Sequence, residues 1–180
     1  MAVQTTTIES FEAFVNRPEN ADRLFEFVGG EIVEVPTSSF TSQFGARILG
    51  YLFIYLLQHS IGHLTGADGG FMVFGERYAP DVAFMSKARQ AELSQETYNP
   101  LAPDLAVEVV SPTDQERLLR LKIANYLAAG TVVWAVYPKD QQVEVYEPGK
   151  PVRILGIDDT LDGGEMLPGF TLALSAIFAS

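Results

Sequence analysis

Cysteine is absent from the 180 residues, which removes disulfides, thiolate zinc sites and cysteine nucleophiles and fits a reducing compartment, with the cytoplasm as the default. Basic residues are scarce: 12 Lys and Arg stand against 23 Asp and Glu, a formal net charge of -11. Such a surface repels phosphate on average and argues against tight, unassisted nucleic-acid binding. A nuclease remains open, because metal ions at a carboxylate site reverse the field that phosphate meets locally. Long apolar runs are also missing. The longest, Ile48 to Leu57, lies between Arg47 and Gln58 and falls far short of the roughly 20 residues that cross a bilayer. It predicts a core helix and no membrane partner. The first ten residues are polar and lack the layout of a secretory signal. Histidine is limited to His59 and His63. Their i, i+4 spacing is interrupted by Gly62 and no third ligand stands nearby, so no zinc site is expected. No P-loop, nucleophile elbow or dinucleotide fingerprint is visible.

What is present is apolar substance: 47% of the residues are hydrophobic, enough for one domain over residues 1–180 to bury a core without staples. Thr6 and Glu9 have the form of a capping box before a short apolar stripe, Ile8, Phe11, Phe14 and Val15, which Arg17-Pro18 ends. Leu24 to Val35 alternates around Gly29-Gly30 and predicts a hairpin closed by Pro36. Phe44, Ile48, Tyr51, Leu52, Tyr55 and Leu56 recur at helical spacing until Ile61-Gly62. Strand-like segments follow at 70–74, 80–85 and 104–110, with a polar loop over 86–103. Residues 114–129 then read as a helix closed by Gly130, and 131–137 as a buried strand. The unit from Leu105 through this helix to Trp134 implies a right-handed parallel crossover. A strand over 141–146 follows, and a tail from Val152 packs a final strand and a turn of helix. The acidic stretch Asp158, Thr160, Asp162 and Gly163 echoes a calcium loop, but the twelfth position is Gly169 rather than glutamate, so it reads as a turn.

Three charges stand where this pattern asks for apolar residues. Glu108 lies in Leu105-Ala106-Val107-Glu108-Val109-Val110, a strand that should be covered on both faces, so its carboxylate needs a compensating cation. Asp81 follows Pro80 at the head of another strand, where a sheet exposes chemistry. Lys122 projects, at about 100° per residue, inside the stripe of Leu118, Leu119, Ile123 and Tyr126. Two acids and an amine converging from adjacent elements would neutralise one another and form a functional site. Hard carboxylate oxygens suit Mg²⁺ or Mn²⁺, and the chemistry such an ion supports beside an ammonium is phosphodiester hydrolysis.

The motifs Arg77-Tyr78-Ala79-Pro80-Asp81-Val82, Pro103-Asp104-Leu105-Ala106-Val107-Glu108-Val109-Val110-Ser111-Pro112, Lys122 with Tyr126, and Val133-Trp134-Ala135-Val136-Tyr137-Pro138 resemble the Uma-type family of restriction endonucleases, within the PD-(D/E)XK nuclease superfamily. The likeness extends to Gly29-Gly30-Glu31 and Pro168-Gly169-Phe170. It implies an α/β (mixed α+β) restriction-endonuclease-like core, a mixed central sheet flanked by helices, here with an N-terminal helix and hairpin extension. It further implies that Asp81 and Glu108 hold Mg²⁺ or Mn²⁺, and that a helix lysine, matched by Lys122, replaces the superfamily's usual lysine two residues after the second acid, where this chain has Val110. Where family members often carry histidine near the start of the early helix, this chain has Ser42-Gln43.

The resulting expectation is a Mg²⁺-dependent endonuclease acting on DNA, with catalytic residues Asp81, Glu108 and Lys122, working as a homodimer because two strands need two sites. The alternative is a non-catalytic module on the same scaffold that binds protein or nucleic acid. In that case Asp81 caps a strand, Glu108 bridges strand and helix by an ion pair, and the Lys122 stem covers apolar surface while its head reaches water. Glu26 and Glu31 are candidates for a third carboxylate, and Arg77 would touch phosphate or pair with an acid.

Overall fold

The computed structural model describes residues 6–35, 38–111 and 115–179. Helix α1, Ile8–Val15, begins one residue later than the Thr6/Glu9 pattern suggests: Thr7 is the N-cap, its side chain accepting the Ser10 N–H. Strands β1, Phe25–Val28, and β2, Glu31–Glu34, pair antiparallel. Gly29 and Gly30 take φ of +60° and +80° between them, which side chains with a Cβ resist. The predicted closure by Pro36 lies outside the described residues. The hairpin is no mere extension. It forms part of a five-stranded sheet, in the order β2-β1-β5-β4-β7, with β4 Gly70–Val73, β5 Glu76–Tyr78 and β7 Tyr98–Asn99. Phe11 anchors α1 on this sheet through Phe27 and Tyr98.

The second sheet has the order β11-β10-β9-β8-β6-β3. Its strands are β3 Gly62–Thr65, β6 Val82–Ser86, β8 Leu105–Val109, β9 Val132–Tyr137, β10 Gln142–Tyr146 and β11 Arg153–Leu155. β6 and β8 run antiparallel and β8 and β9 parallel, so the sheet is mixed and the expected crossover is present. Helix α3, Glu116–Ala128, makes that crossover, and Gly130 just beyond it has φ +78°, the left-handed conformation that ends many helices. The start expected at Asp114 lies outside the described residues.

Alternation along β6, β8 and β9 sorts side chains by size. Val82, Phe84, Leu105, Val107, Trp134 and Val136 face α2, Ser39–Gln58, and the C-terminal β12 Thr160–Asp162, β13 Thr171–Ala173 and α4 Ser175–Phe178. Ala83, Ala106, Val133 and Ala135 face α3 and the first sheet. Small residues on that face let α3 come close, and Glu108 takes the next place in the row after Ala106.

The pattern gave no warning of β3, which among the described residues is an edge strand paired with β6 alone. Gly62 is needed there, because an added Cβ would collide with the Phe84 ring and stand 2.5 Å from the Met85 carbonyl oxygen. Gly62→Ala should therefore cost about 1–3 kcal/mol, read as a fall of several degrees in Tm. An unchanged Tm would mean that this edge is looser than its register implies.

Candidate active site

Asp81 and Glu108 come together because of strand register. Val82 pairs with Val107 across the antiparallel β6–β8 ladder, so Asp81, one residue before, falls opposite Glu108. Directly opposite side chains share a face. The Val109 N–H donates to Asp81 Oδ2 at 2.7 Å, tying the two strand ends. α2 passes beside this point, where a Cβ added to Gly45 would stand 3.5 Å from Asp81 Cβ.

α3 supplies the amine from the same face. Lys122 Nζ donates to Glu108 Oε2 at 2.7 Å and to Glu26 Oε1 at 2.8 Å, and it lies 5.5 Å from the centre of the Tyr78 ring. Lys122, Glu108 and Glu26 are 7%, 8% and 7% exposed, so the ammonium does not reach bulk water by stretching past apolar surface. Glu108 Oε1 accepts from the Tyr126 hydroxyl at 3.1 Å. Glu26 Oε1 also accepts the Ala79 N–H at 2.7 Å, which holds the segment leading into Asp81. A second layer runs from the Gly29 N–H to Glu76, to the Tyr78 hydroxyl and to Asn125, bracing the hairpin turn against α3.

Of Glu26 and Glu31, the two candidates for a third carboxylate, Glu26 joins the site. Glu31 pairs with Arg117 on the surface. Burial separates them: Glu26 lies in Phe25-Glu26-Phe27-Val28, all buried, whereas β2 is half-exposed. Arg77 turns away and pairs with Glu12 at 2.6 Å. His59 stacks on Tyr55, while His63 bonds the Ala91 carbonyl from β3. Asp162 pairs with Arg153.

Asp81, Glu108, Glu26 and Lys122 line one cleft of about 200 Å³, with Thr41 and Ser111 at its sides. Glu34 also lines the cleft but is held by Arg23, which leaves three carboxylates, Glu26, Asp81 and Glu108, with the Lys122 ammonium. Burial first, and then the charges of Glu26 and Asp81, push the Glu108 carboxyl up to about 8 against the pull of Lys122. Burial alone would lower the Lys122 amine, but Glu108 and Glu26 together hold it above its ordinary value, so it stays an ammonium. Burial likewise pushes the Tyr126 hydroxyl up, keeping it a donor to Glu108.

The donor set fits a hard divalent ion in a limited way. Among the described residues no three His, Asp or Glu side chains form a ready ligand cluster, since Glu26 is turned to Lys122 and Ala79. Asp81 and Glu108 remain, and Mg²⁺ is typically bound through one or two carboxylates while keeping several waters.

A raised carboxyl has a stability consequence. The native state holds the Glu108 proton at pH values where the unfolded chain has released it, so this contribution is full below about 4.5 and is lost as pH rises through about 8. In metal-free buffer the stability should fall across that window by at most about 1.4 kcal/mol per pH unit. Urea midpoints across the window check this, and Glu108→Gln should flatten the slope relative to wild type.

Opposed acids on adjacent antiparallel strands, backed by a lysine from the crossover helix, sit on a nuclease-like α/β fold. The Uma2 family, described as "Putative restriction endonuclease", matches residues 9–175, and the chain belongs to it. Among solved structures, one described as "a putative nuclease belonging to DUF820", from Anabaena variabilis, superposes with a TM-score of 0.80. It is 18% identical over 93% of this chain and 96% of that one, and shares the fold. No curated protein matches the chain.

Proposed function

We propose that this protein is a metal-dependent endonuclease that hydrolyses DNA phosphodiester bonds, with Asp81 and Glu108 holding Mg²⁺ or Mn²⁺ and Lys122 assisting the attack of water. The observation that carries this reading is the cleft in which two acids from neighbouring strands and one buried lysine meet with an excess of negative charge. Family membership supports the nuclease class.

The ion, when bound, lowers the pKa of water and offsets charge developing on phosphorus. The chain's own groups do the rest. Asp81, tied to the Val109 N–H, and Glu108, tied to Tyr126 and Lys122, are held before any ligand arrives, which spares reorganisation during reaction. Lys122 carries positive charge beside the reacting phosphate and orients water, while Glu26 keeps the amine from swinging away. Glu26 is thus a positioning residue. Because the protein carries an overall negative charge, a cation held by Asp81 and Glu108 would offset the repulsion that phosphate otherwise meets there.

One observation favours a second reading. Lys122 already bridges Glu108 and Glu26, as it would in a structural ion cluster within a non-catalytic binding module. The two readings separate by incubating the protein with plasmid DNA and Mg²⁺ or Mn²⁺. The enzyme cuts, and Asp81→Ala and Glu108→Ala abolish both cutting and the calorimetric heat of Mn²⁺ binding. No cutting and no Mn²⁺ heat in the wild type would leave the ion cluster as the explanation.

A further inference from the structure

The turn between β4 and β5 carries an aromatic residue in a conformation that suits it badly. Val73 pairs with Glu76, so Phe74 and Gly75 form a two-residue connection, and both have positive φ, +50° and +87°. Asn-Gly is the pair that such a turn favours. Among the described residues only Phe74 and Gln141 take positive φ without being glycine, and for a bulky side chain that backbone is an outlier. Packing does not account for it, since Phe74 is 70% exposed. The turn is nonetheless firmly braced, as a strained position must be to persist. Buried Arg77 donates to the Gly75 and Glu76 carbonyls at 3.5 and 3.2 Å. The Glu76 carboxylate accepts the Gly29 N–H and the Tyr78 hydroxyl, each at 2.7 Å. Phe27 pairs with Arg77, which lays the Phe74-Gly75 turn beside the Gly29-Gly30 turn, and Val28, the residue before it, lines the cleft. Chain reach keeps Phe74 within about 15 Å of the Gly29 N–H.

We propose that Phe74 binds substrate by stacking on an unpaired nucleobase of the strand whose backbone enters the cleft, so that the preferred substrate is DNA with single-stranded character beside the cut. The inference rests on the endonuclease reading and names its substrate. Charge supports it. A chain of net charge -11 attracts phosphate poorly, and stacking on an aromatic ring supplies affinity without positive charge, about five- to 150-fold for each base held. A duplex fits less well on two counts. It carries one charge per about 1.7 Å of axis against about 3.4 Å for one strand, and bases stacked within it offer no free face. A protein partner would need a broad patch. Phe74 stands between buried Val73 and the polar Glu76, which is too little for an interface and enough for one base. The bracing by Arg77 and Glu76 also spares the turn ordering on binding, and this gives the strain a use.

Binding and cutting, measured separately, test this. Binding is read from the fluorescence anisotropy of a labelled single-stranded oligonucleotide, and of the same strand annealed to its complement, with Ca²⁺ as the hard cation. Cutting of both is timed in Mn²⁺. The wild type should bind and cut the single strand in preference to the duplex. Phe74→Asn should weaken single-strand binding about tenfold or more and raise KM by the same factor with kcat kept. Its Tm should hold or rise, because asparagine suits the left-handed region. Phe74→Trp should keep the affinity, and Ile154→Asn, at a comparably exposed apolar residue of edge strand β11, should change neither binding nor cutting. A Phe74→Asn variant that binds the single strand as the wild type does overturns the inference, and the endonuclease reading stands if both still cut. A wild type that binds the single strand through Phe74 yet cuts nothing upholds the inference and removes that reading. Equal or tighter binding of the duplex overturns the inference.

Discussion

Lys122→Met should lower stability by about 3–5 kcal/mol, the usual cost of removing one partner from a buried ion pair, or on the order of 10 °C in Tm. Methionine keeps the length of the stem, so the loss measures charge rather than volume. The amine is the cation shared by Glu26 and Glu108, both buried. Without it these carboxyls must take up protons or remain charged in a poor solvent. The deficit should therefore grow as pH rises from 6 to 9. Mn²⁺ should return part of it, because Asp81 and Glu108 then have a cation of another kind, and the Tm rise on adding Mn²⁺ should exceed that of the wild type. A loss below about 1 kcal/mol would resemble a surface pair and contradict the observed burial.

Asp81→Asn should abolish DNA cleavage, by at least about a thousandfold, while leaving the fold intact. Asparagine keeps an oxygen to accept the Val109 N–H, so the strand ends stay tied, but it removes one of two anionic oxygens offered to the ion. A thousandfold corresponds to about 4 kcal/mol of transition-state stabilisation, within the several kcal/mol that a Lewis-acidic ion supplies. Cleavage rates and Mn²⁺ isotherms should fail together while Tm holds within a few degrees. An Asp81→Asn variant that cuts DNA as fast as the wild type would remove Asp81 from the chemistry.

These expectations rest on residues whose oddity is local. Glu108 among valines and Lys122 within a leucine stripe violate the apolar pattern, and a violated pattern can be read without coordinates. Asp81 was legible from its place after Pro80 and from the family likeness. Glu26 was weighed equally with Glu31, because pairing a hairpin carboxylate with a helix amine 96 residues away depends on how the first sheet covers α3. β3, β5 and β7 escaped notice for a related reason: each has two to four residues, too few for periodicity, and each is a strand only because a partner runs beside it. In α2 the run 48–57 predicted a core helix, and among the described residues Ile48 and Leu52 are buried while Phe53, Ile54 and Leu57 are exposed.

Local chemistry therefore determined the order of the core elements, the turns at Gly29-Gly30 and Gly130, and the three charges that break the apolar pattern, because each depends on near neighbours in the chain. Tertiary structure alone decided that Asp81 stands opposite Glu108 and that Lys122 is shared with Glu26. Those outcomes follow from strand register and from which surfaces meet, and both are properties of segments brought together across the whole chain.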